Sequence, residues 1–169
     1  MEIREYIQAQ MAGSYRLSDA AIQGTTEEQF NWAPPGAANP IKATLLHTIA
    51  GEDLFIQGVF QGQKRLWETQ EWGARIGISM PPGRGGGWDE ARSKTLALEP
   101  MLEYQKAVRA ATDAYLARVT PEELDRKVLF AGEQRAVAEV LVILAVHIAG
   151  HAGEISGLKG VQGDMGLPY

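Results

Sequence analysis

The sequence predicts an all-α protein, a four-helix bundle with one long crossover loop. Apolar residues recur at helical spacing in four long segments, which places them along one face of each predicted helix. A stretch rich in Pro and Gly, residues 62–99, separates the second segment from the third. The 169 residues are 45% hydrophobic and 22% charged, and no internal repeat is visible. These values predict one domain over residues 1–169 with a substantial core.

The first helix is predicted over residues 2–23. Its apolar residues from Ile3 to Ala21 lie roughly on one stripe, and Gly24 ends it. The following Thr-Thr-Glu-Glu, residues 25–28, has the form of a capping box and predicts a short helical turn.

The second helix is predicted from Pro40 to about Gly62, with Asn39 as its N-cap. It is apolar on most sides, which indicates deep burial. Its single histidine, His47, shares a face with small residues that would let another helix approach closely. The residues on that face are Ala43, Gly51, Leu54 and Gly58.

The crossover, residues 62–99, is predicted to hold one or two short helical pieces around the flexible run Pro81–Gly87. Three tryptophans surround this run: Trp67, Trp72 and Trp88. Long connections in compact domains are often functional, so the loop is a candidate wall of a substrate site. The alternatives are that it covers one end of the core or contacts a partner subunit.

The third helix is predicted over Pro100–Arg118 and the fourth over residues 136–159, with an extended hairpin at 127–133 between them. The apolar face expected for the third helix consists of Leu102, Val108, Tyr115 and Val119. The tail, residues 163–169, is expected to be irregular.

Composition and charge exclude several classes of function. A net charge of -5 argues against a nucleic-acid-binding surface. The apolar stretch 136–151 is shorter than a bilayer requires, and the N-terminus lacks the features of a signal peptide, so we expect a cytoplasmic protein with no membrane partner. The absence of cysteine excludes disulfides, thiolate metal ligands and a cysteine nucleophile. Any thiol in the chemistry must arrive with a substrate or cofactor.

The three histidines of the chain are the candidate metal ligands. His147 and His151 are four residues apart on the fourth helix and therefore share a face. His47 could complete a three-histidine site with an open position, which is typical of catalytic metal centres. The spacing alone leaves a second interpretation open, in which these are hydrogen-bonded core histidines.

The pair differs from the His-Glu-x-x-His motif of zinc proteases, because Ile148 stands where the general base would be. Glu154, on the same helix face as the pair, is the candidate catalytic residue, as proton acceptor or as orienter of a histidine ligand. Its alternative role is that of a solvated residue near a helix end. Asp53 is six residues from His47 and is expected to face away from it.

Two segments together resemble the DinB-like family of DNA-damage-inducible four-helix metalloproteins. One is Phe30–Gly36 with the following Pro40 and Leu45-Leu46-His47, and the other runs from His147 to Pro168. The resemblance covers the whole chain in the order of its elements. It implies an up-down-down-up bundle, homodimers, and one divalent metal ion held by a histidine of the second helix and a His-x-x-x-His pair of the fourth. Those positions match His47, His147 and His151.

The resemblance implies an enzyme that joins a low-molecular-weight thiol, such as bacillithiol, mycothiol or glutathione, to a small electrophilic substrate. The alternatives are a metal-dependent hydrolase that activates water and a non-enzymatic, stress-related metal-binding protein. The candidate metals are zinc, nickel, iron, copper and manganese, since three imidazoles do not select among them.

Overall fold

The computed structural model describes residues 2–167 and is mainly helical, as predicted. The elements follow one another along the chain as α1 (Ile3–Ile22), α2 (Glu27–Asn31), α3 (Ile41–Asp53) with a π-helix continuation (Leu54–Phe60), α4 (Leu66–Thr69), α5 (Trp72–Ile76), α6 (Trp88–Ser93), α7 (Leu98–Leu116), α8 (Pro121–Asp125), β1 (Lys127–Phe130), β2 (Glu133–Ala136) and α9 (Val137–Val161). The predicted hairpin is present as the antiparallel pair β1–β2. The last two residues of the predicted irregular tail lie outside the described part of the chain.

The four long helices α1, α3, α7 and α9 pack in a ring, in which α1 and α3 each contact both α7 and α9. Hydrogen bonds between them show that α1 runs parallel to α9 and antiparallel to α7. The bonds to α9 are Ser14 Oγ to Ala145 O at 3.1 Å and Lys159 Nζ to Gln23 O at 2.7 Å. The bonds to α7 are Arg4 Nη1 to Ala117 O at 3.3 Å and Arg109 Nη1 to Asp19 Oδ1 at 2.6 Å. Helix α3 runs antiparallel to α9, because Gly51 lies beside His147 and His47 lies beside His151. The ring therefore has the up-down-down-up order.

The long crossover follows from this order, because α3 and α7 run in the same direction and the chain must return along the bundle between them. The crossover contains three short helices, α4, α5 and α6, where one or two were predicted. Trp67 and Trp72 are buried in the core and pack against Tyr104 of α7, at ring-centroid distances of 5.7 and 5.2 Å. These two tryptophans attach the crossover to the bundle.

Two predicted features of the second helix are wrong. Pro40, not Asn39, occupies the N-cap of α3, and the side chain of Asn39 instead accepts a hydrogen bond from Arg92 Nε at 2.8 Å. The α-helix also ends at Asp53 and continues as a π-helix, so a four-residue spacing no longer keeps residues on one face. Leu54, the first residue of the π-helix, is 43% exposed.

The predicted apolar faces of α1 and α7 are largely buried, and the exceptions are Ile3 and Leu102, which are exposed. The predicted residues that are buried are Met11, Ala21, Val108, Tyr115 and Val119. The buried residues of α1 are Met11, Ser14, Ser18, Ala21 and Ile22, and those of α7 are Met101, Tyr104, Gln105, Val108, Thr112, Tyr115 and Leu116.

Helix α9 runs from Val137 to Val161, close to the predicted 136–159, and is therefore longer than the apolar stretch 136–151 alone. By length and composition alone it could cross a membrane. Core helices of soluble proteins pass the same test, and in this fold α9 packs against both α1 and α3. Its buried residues include Val140, Leu144, Ile148 and Ile155.

Two adjacent carboxylates, Glu52 and Asp53, are buried in the bundle beside α7. Glu52 Oε1 accepts hydrogen bonds from Tyr15 Oη at 2.5 Å and from Thr112 Oγ1 at 2.6 Å. Burial raises the pKa of Glu52 above its ordinary value, and these hydrogen bonds only partly oppose the shift. The neutral acid is therefore the form that the fold favours at this position.

We predict that Glu52→Gln stabilises the protein relative to the wild type by an amount that grows as pH rises from about 4.5 to 8. A group whose pKa is raised on folding contributes stability below its unfolded pKa, and this is lost as pH rises through the folded value. Glutamine keeps the hydrogen-bond acceptor and has no proton to lose. Thermal unfolding of both proteins across this range measures the difference in Tm. A difference that stays constant with pH would contradict the raised pKa.

Candidate metal centre

The three histidines of the chain converge between α3 and α9. His47 comes from α3, and His147 and His151 come from consecutive turns of α9. One nitrogen from each imidazole lies within 4.8 Å of the other two, and the Nε2 atoms of His47 and His147 are 3.0 Å apart. The three rings are half-buried. The structure thus brings the three side chains together, positioned to bind a metal ion.

The close approach of the two helices depends on Gly51, one turn after His47. A Cβ at this position would lie 2.9 Å from His147 Cε1, closer than a real Cβ atom is found. The ring of His147 therefore occupies the space that any larger residue would need. Gly51 is thus the small residue on the face of His47 that lets another helix approach closely.

Hydrogen bonds at the outer nitrogens set the tautomers of two rings. His47 Nδ1 is 3.0 Å from the carbonyl oxygen of Pro82, and His151 Nδ1 is 2.6 Å from Glu154 Oε2. A carbonyl or a carboxylate can only accept, so both Nδ1 atoms donate, and in the neutral ring the free lone pair is then on Nε2. This arrangement, with an oxygen acceptor behind the imidazole, is the usual one for histidine ligands of metals.

The protein environment keeps the rings of His47 and His147 uncharged. Burial lowers the pKa of His47, and burial together with the neighbouring His151 and His47 lowers the pKa of His147 to about 3. Neutral imidazole is the form that binds metals, so protons compete weakly for these two nitrogens at neutral pH.

The residues present fit a divalent ion. Two ligand nitrogens at about 2.0–2.1 Å from one ion, bonded about 90–110° apart, lie roughly 2.8–3.4 Å from each other. The 3.0 Å between His47 and His147 agrees with that separation. Without an ion, the two nitrogens can lie this close when one of them carries a proton and donates a hydrogen bond to the other. Three imidazole ligands do not choose among zinc, nickel, iron, copper and manganese.

Part of the crossover lies beside this cluster. The ring of Trp88 is 4.9 Å from that of His47, measured between centroids, and Pro82 provides the carbonyl described above. Trp67 and Trp72 lie in the core instead. The predicted position of the loop at the site therefore holds for its Pro82–Trp88 part. Sequence reasoning missed Pro82, because a backbone carbonyl has no signature in the residue type.

Of the two acidic candidates, only Glu154 is near the histidines. It hydrogen-bonds His151 and also lines a cavity of about 380 Å³, which no histidine lines. Asp53 faces α4 and α7, where its carboxylate accepts hydrogen bonds from the backbone amides of Leu66 and Trp67 and from Tyr104 Oη. Its role is to hold the start of the crossover.

Comparison with known proteins agrees with this geometry. The DinB superfamily model matches residues 10–155, which is most of the chain. The chain belongs to the DinB superfamily. Members of this superfamily bind metals, in line with the cluster of three histidines.

A solved structure supports the DinB-like fold. The crystal structure of a conserved protein from Enterococcus faecalis has a TM-score of 0.81 to this chain and 18% sequence identity, over 97% of this chain and 99% of the other. At this identity the likeness concerns the fold alone. No curated protein matches the chain.

We predict that His147→Ala weakens metal binding more than about 100-fold, since even the loss of an outer hydrogen-bond partner of a ligand costs about 10–100-fold. The bundle should stay folded, because alanine is the best helix former and the buried apolar stripe of α9 is unchanged. Elemental analysis of protein purified without metal-affinity resin gives the metal content, and circular dichroism gives the helicity. Retained stoichiometric metal would show that His147 is not a ligand.

Proposed function

We propose that this protein is a metal-dependent transferase that joins a low-molecular-weight thiol to a small electrophile. The observation that carries the proposal is the convergence of three imidazole nitrogens, two of them on rings held neutral, beside a cavity in a chain that has no cysteine. His47, His147 and His151 are the proposed metal ligands. The thiol would be of the bacillithiol, mycothiol or glutathione type, as the family resemblance implies.

The charge of the ligand set favours thiol chemistry. A divalent ion held by uncharged imidazoles keeps its full positive charge, and when bound it would lower the pKa of a coordinated thiol far enough to give the nucleophile at neutral pH. The nearest carboxylate, Glu154, uses Oε2 for the hydrogen bond to His151. Its Oε1 has no hydrogen bond within the described part of the chain and is the proposed acceptor of the thiol proton.

The proposed reaction needs no reactant other than the thiol and the electrophile. The proton of the thiol goes to Glu154 Oε1, and the sulfur forms the new bond to the electrophilic carbon. The leaving group departs with the electron pair of the bond that breaks. The protein holds the two reactants together and supplies the base, and it forms no covalent bond to either.

The cavity next to Glu154 has the size of a small-molecule site. It lies between α9 and the residues that lead into α3, and its wall is made of small and polar side chains. The lining residues are Ala37, Ala38, Asn39, Thr44, Glu154, Gly157 and Leu158. We place the substrate in this cavity, and we infer a cytoplasmic location, where low-molecular-weight thiols are kept reduced.

We predict that Glu154→Gln lowers turnover about 100-fold while the metal stays bound, because the glutamine oxygen still accepts from His151 Nδ1 but cannot take a proton. Removal of the metal by a chelator should abolish turnover. The assay mixes the metal-loaded protein with a thiol and an alkylating electrophile and follows loss of the free thiol.

Three other outcomes would contradict the transferase. An apo protein as active as the metal-loaded one would show that the reaction occurs elsewhere. Ester or amide hydrolysis without any thiol requirement would assign the site to the hydrolase class. Tight metal retention with no turnover of either kind would indicate a metal-binding protein.

We also propose that the protein is a homodimer formed through α1 and α9. These helices border an open groove of about 760 Å³. The groove is lined by small side chains from both helices, and Val142 and Val146 of α9 are exposed, at 61% and 63%. The groove residues are Ala9, Gln10, Gly13, Ser14, Arg16, Leu17, Ala20, Ala145, Val146 and Ala149. A two-fold axis would pair this surface with its own copy.

We predict that Val146→Glu converts the dimer into a monomer, because it places a charge in the centre of the apolar contact. Leu129→Glu is the matched control, since Leu129 is 66% exposed on the hairpin and outside the groove. Light scattering should give twice the 18.4 kDa chain mass for the wild type and the control, and once that mass for Val146→Glu. A monomeric wild type at micromolar concentration would contradict the dimer.

A further inference from the structure

The crossover segment Pro81–Trp88, which we name the cap turn, has a built geometry although it is rich in glycine. Gly83 and Gly86 form an antiparallel bridge, with N–H to O distances of 2.9 and 3.2 Å between their backbones. Trp88 Nε1 donates a hydrogen bond to Gly83 O at 3.1 Å, which closes the turn on itself. Pro81 and Pro82 are buried. The segment is thus a defined structural element.

Two anchors hold the ends of the cap turn together. Glu90 accepts hydrogen bonds from Ser79, through the backbone amide at 3.0 Å and the hydroxyl at 2.5 Å, and from Lys94 Nζ at 2.7 Å. Gly87 has φ of 81°, and a Cβ there would lie 2.6 Å from the carbonyl oxygen of Pro81. Only glycine fits this contact, so the path of the chain into Trp88 depends on Gly87.

The cap turn covers one flank of His47. Its Pro82 carbonyl accepts the hydrogen bond from Nδ1, and its Trp88 ring lies 4.9 Å away at an angle of 41°. The first contact keeps the proton on Nδ1 and leaves Nε2 free, and the second restricts rotation of the imidazole. Both contacts prepare His47 to bind a metal before the metal arrives.

We propose that the cap turn is part of the metal centre, as a positioning element that acts through His47, and that its order and the occupancy of the metal site are thermodynamically linked. Linkage is reciprocal, so a turn that strengthens metal binding must itself be held more firmly when the metal is bound. This inference rests on the metal site of the proposed function and is independent of the thiol reaction.

The test compares Gly87→Ala with Gly85→Ala. Both substitutions add one methyl group to the same turn, but a Cβ at Gly85 meets no atom within 4 Å and its φ is not in the left-handed region. The affinity of each metal-free protein for Zn²⁺ is measured by competition with a chromophoric chelator, and the Tm of the metal-free protein is measured beside it. We expect Gly87→Ala to bind Zn²⁺ about 10–100-fold more weakly than the wild type and Gly85→Ala to match the wild type.

A turn with only a structural role would lower the Tm of metal-free Gly87→Ala and leave its Zn²⁺ affinity unchanged, and that result would overturn the proposal. A wild type that binds no Zn²⁺ would instead refute the metal site itself. The two failures are therefore distinguishable.

The wild-type chain offers a second test that needs no substitution. Arg84 is exposed in the cap turn, so trypsin can cleave there when the turn opens locally. Linkage predicts that Zn²⁺ slows cleavage after Arg84 several-fold and leaves cleavage after the exposed Arg118, outside the turn, unchanged. Equal rates at Arg84 with and without Zn²⁺ would overturn the proposal, including in the case where Gly87→Ala fails to fold.

Discussion

Helices α3 and α9 approach each other closely at Gly51, and the candidate site depends on this contact. The ring of His147 fills the space beside the glycine, within 2.9 Å of where a Cβ would stand. With the helices at this separation, an i,i+4 pair on α9 has both rings within 4.9 Å of the ring of His47, between centroids. Wider spacing between the helices would leave three separate imidazoles. Because residue 51 has no side chain, the three imidazoles can lie close enough together to bind one ion.

The opposite side of α3 carries the two buried carboxylates, and these connect the same helix to α7 and to the crossover. Glu52 accepts hydrogen bonds from hydroxyl groups of α1 and α7. Asp53 accepts hydrogen bonds from the first backbone amides of α4 and from Tyr104 Oη. Burying acids is costly unless their oxygens are hydrogen-bonded, and here the partners are provided. Asp53 thus holds the start of α4, so one face of α3 fixes the beginning of the crossover while the other face carries His47.

Much of the fold could be predicted from the sequence, because helical spacing and turn residues are local signals. The four long helices, the hairpin and the three histidines on apolar helix faces all come from such signals. The convergence of His47 with the pair needed the family resemblance as well, since spacing cannot tell which helices are neighbours. The contacts of Pro82 and Gly87 are properties of the backbone path, and neither residue type indicates them. The burial of Glu52 and Asp53 had a usable signal, namely two acids inside an otherwise apolar helix.

The two flanks of the histidine cluster are unlike each other, and this difference gives the site a direction. On the side of His47, the carbonyl of Pro82 and the ring of Trp88 occupy the space next to the imidazole. On the side of His151, the oxygen acceptor is the carboxylate of Glu154, which is 58% exposed and borders a cavity. A backbone carbonyl can orient a ligand ring but cannot exchange a proton, whereas a carboxylate can do both. In the proposed mechanism, the covered flank holds the three histidines in place, and the reactants approach from the flank of Glu154, where a carboxylate can accept a proton.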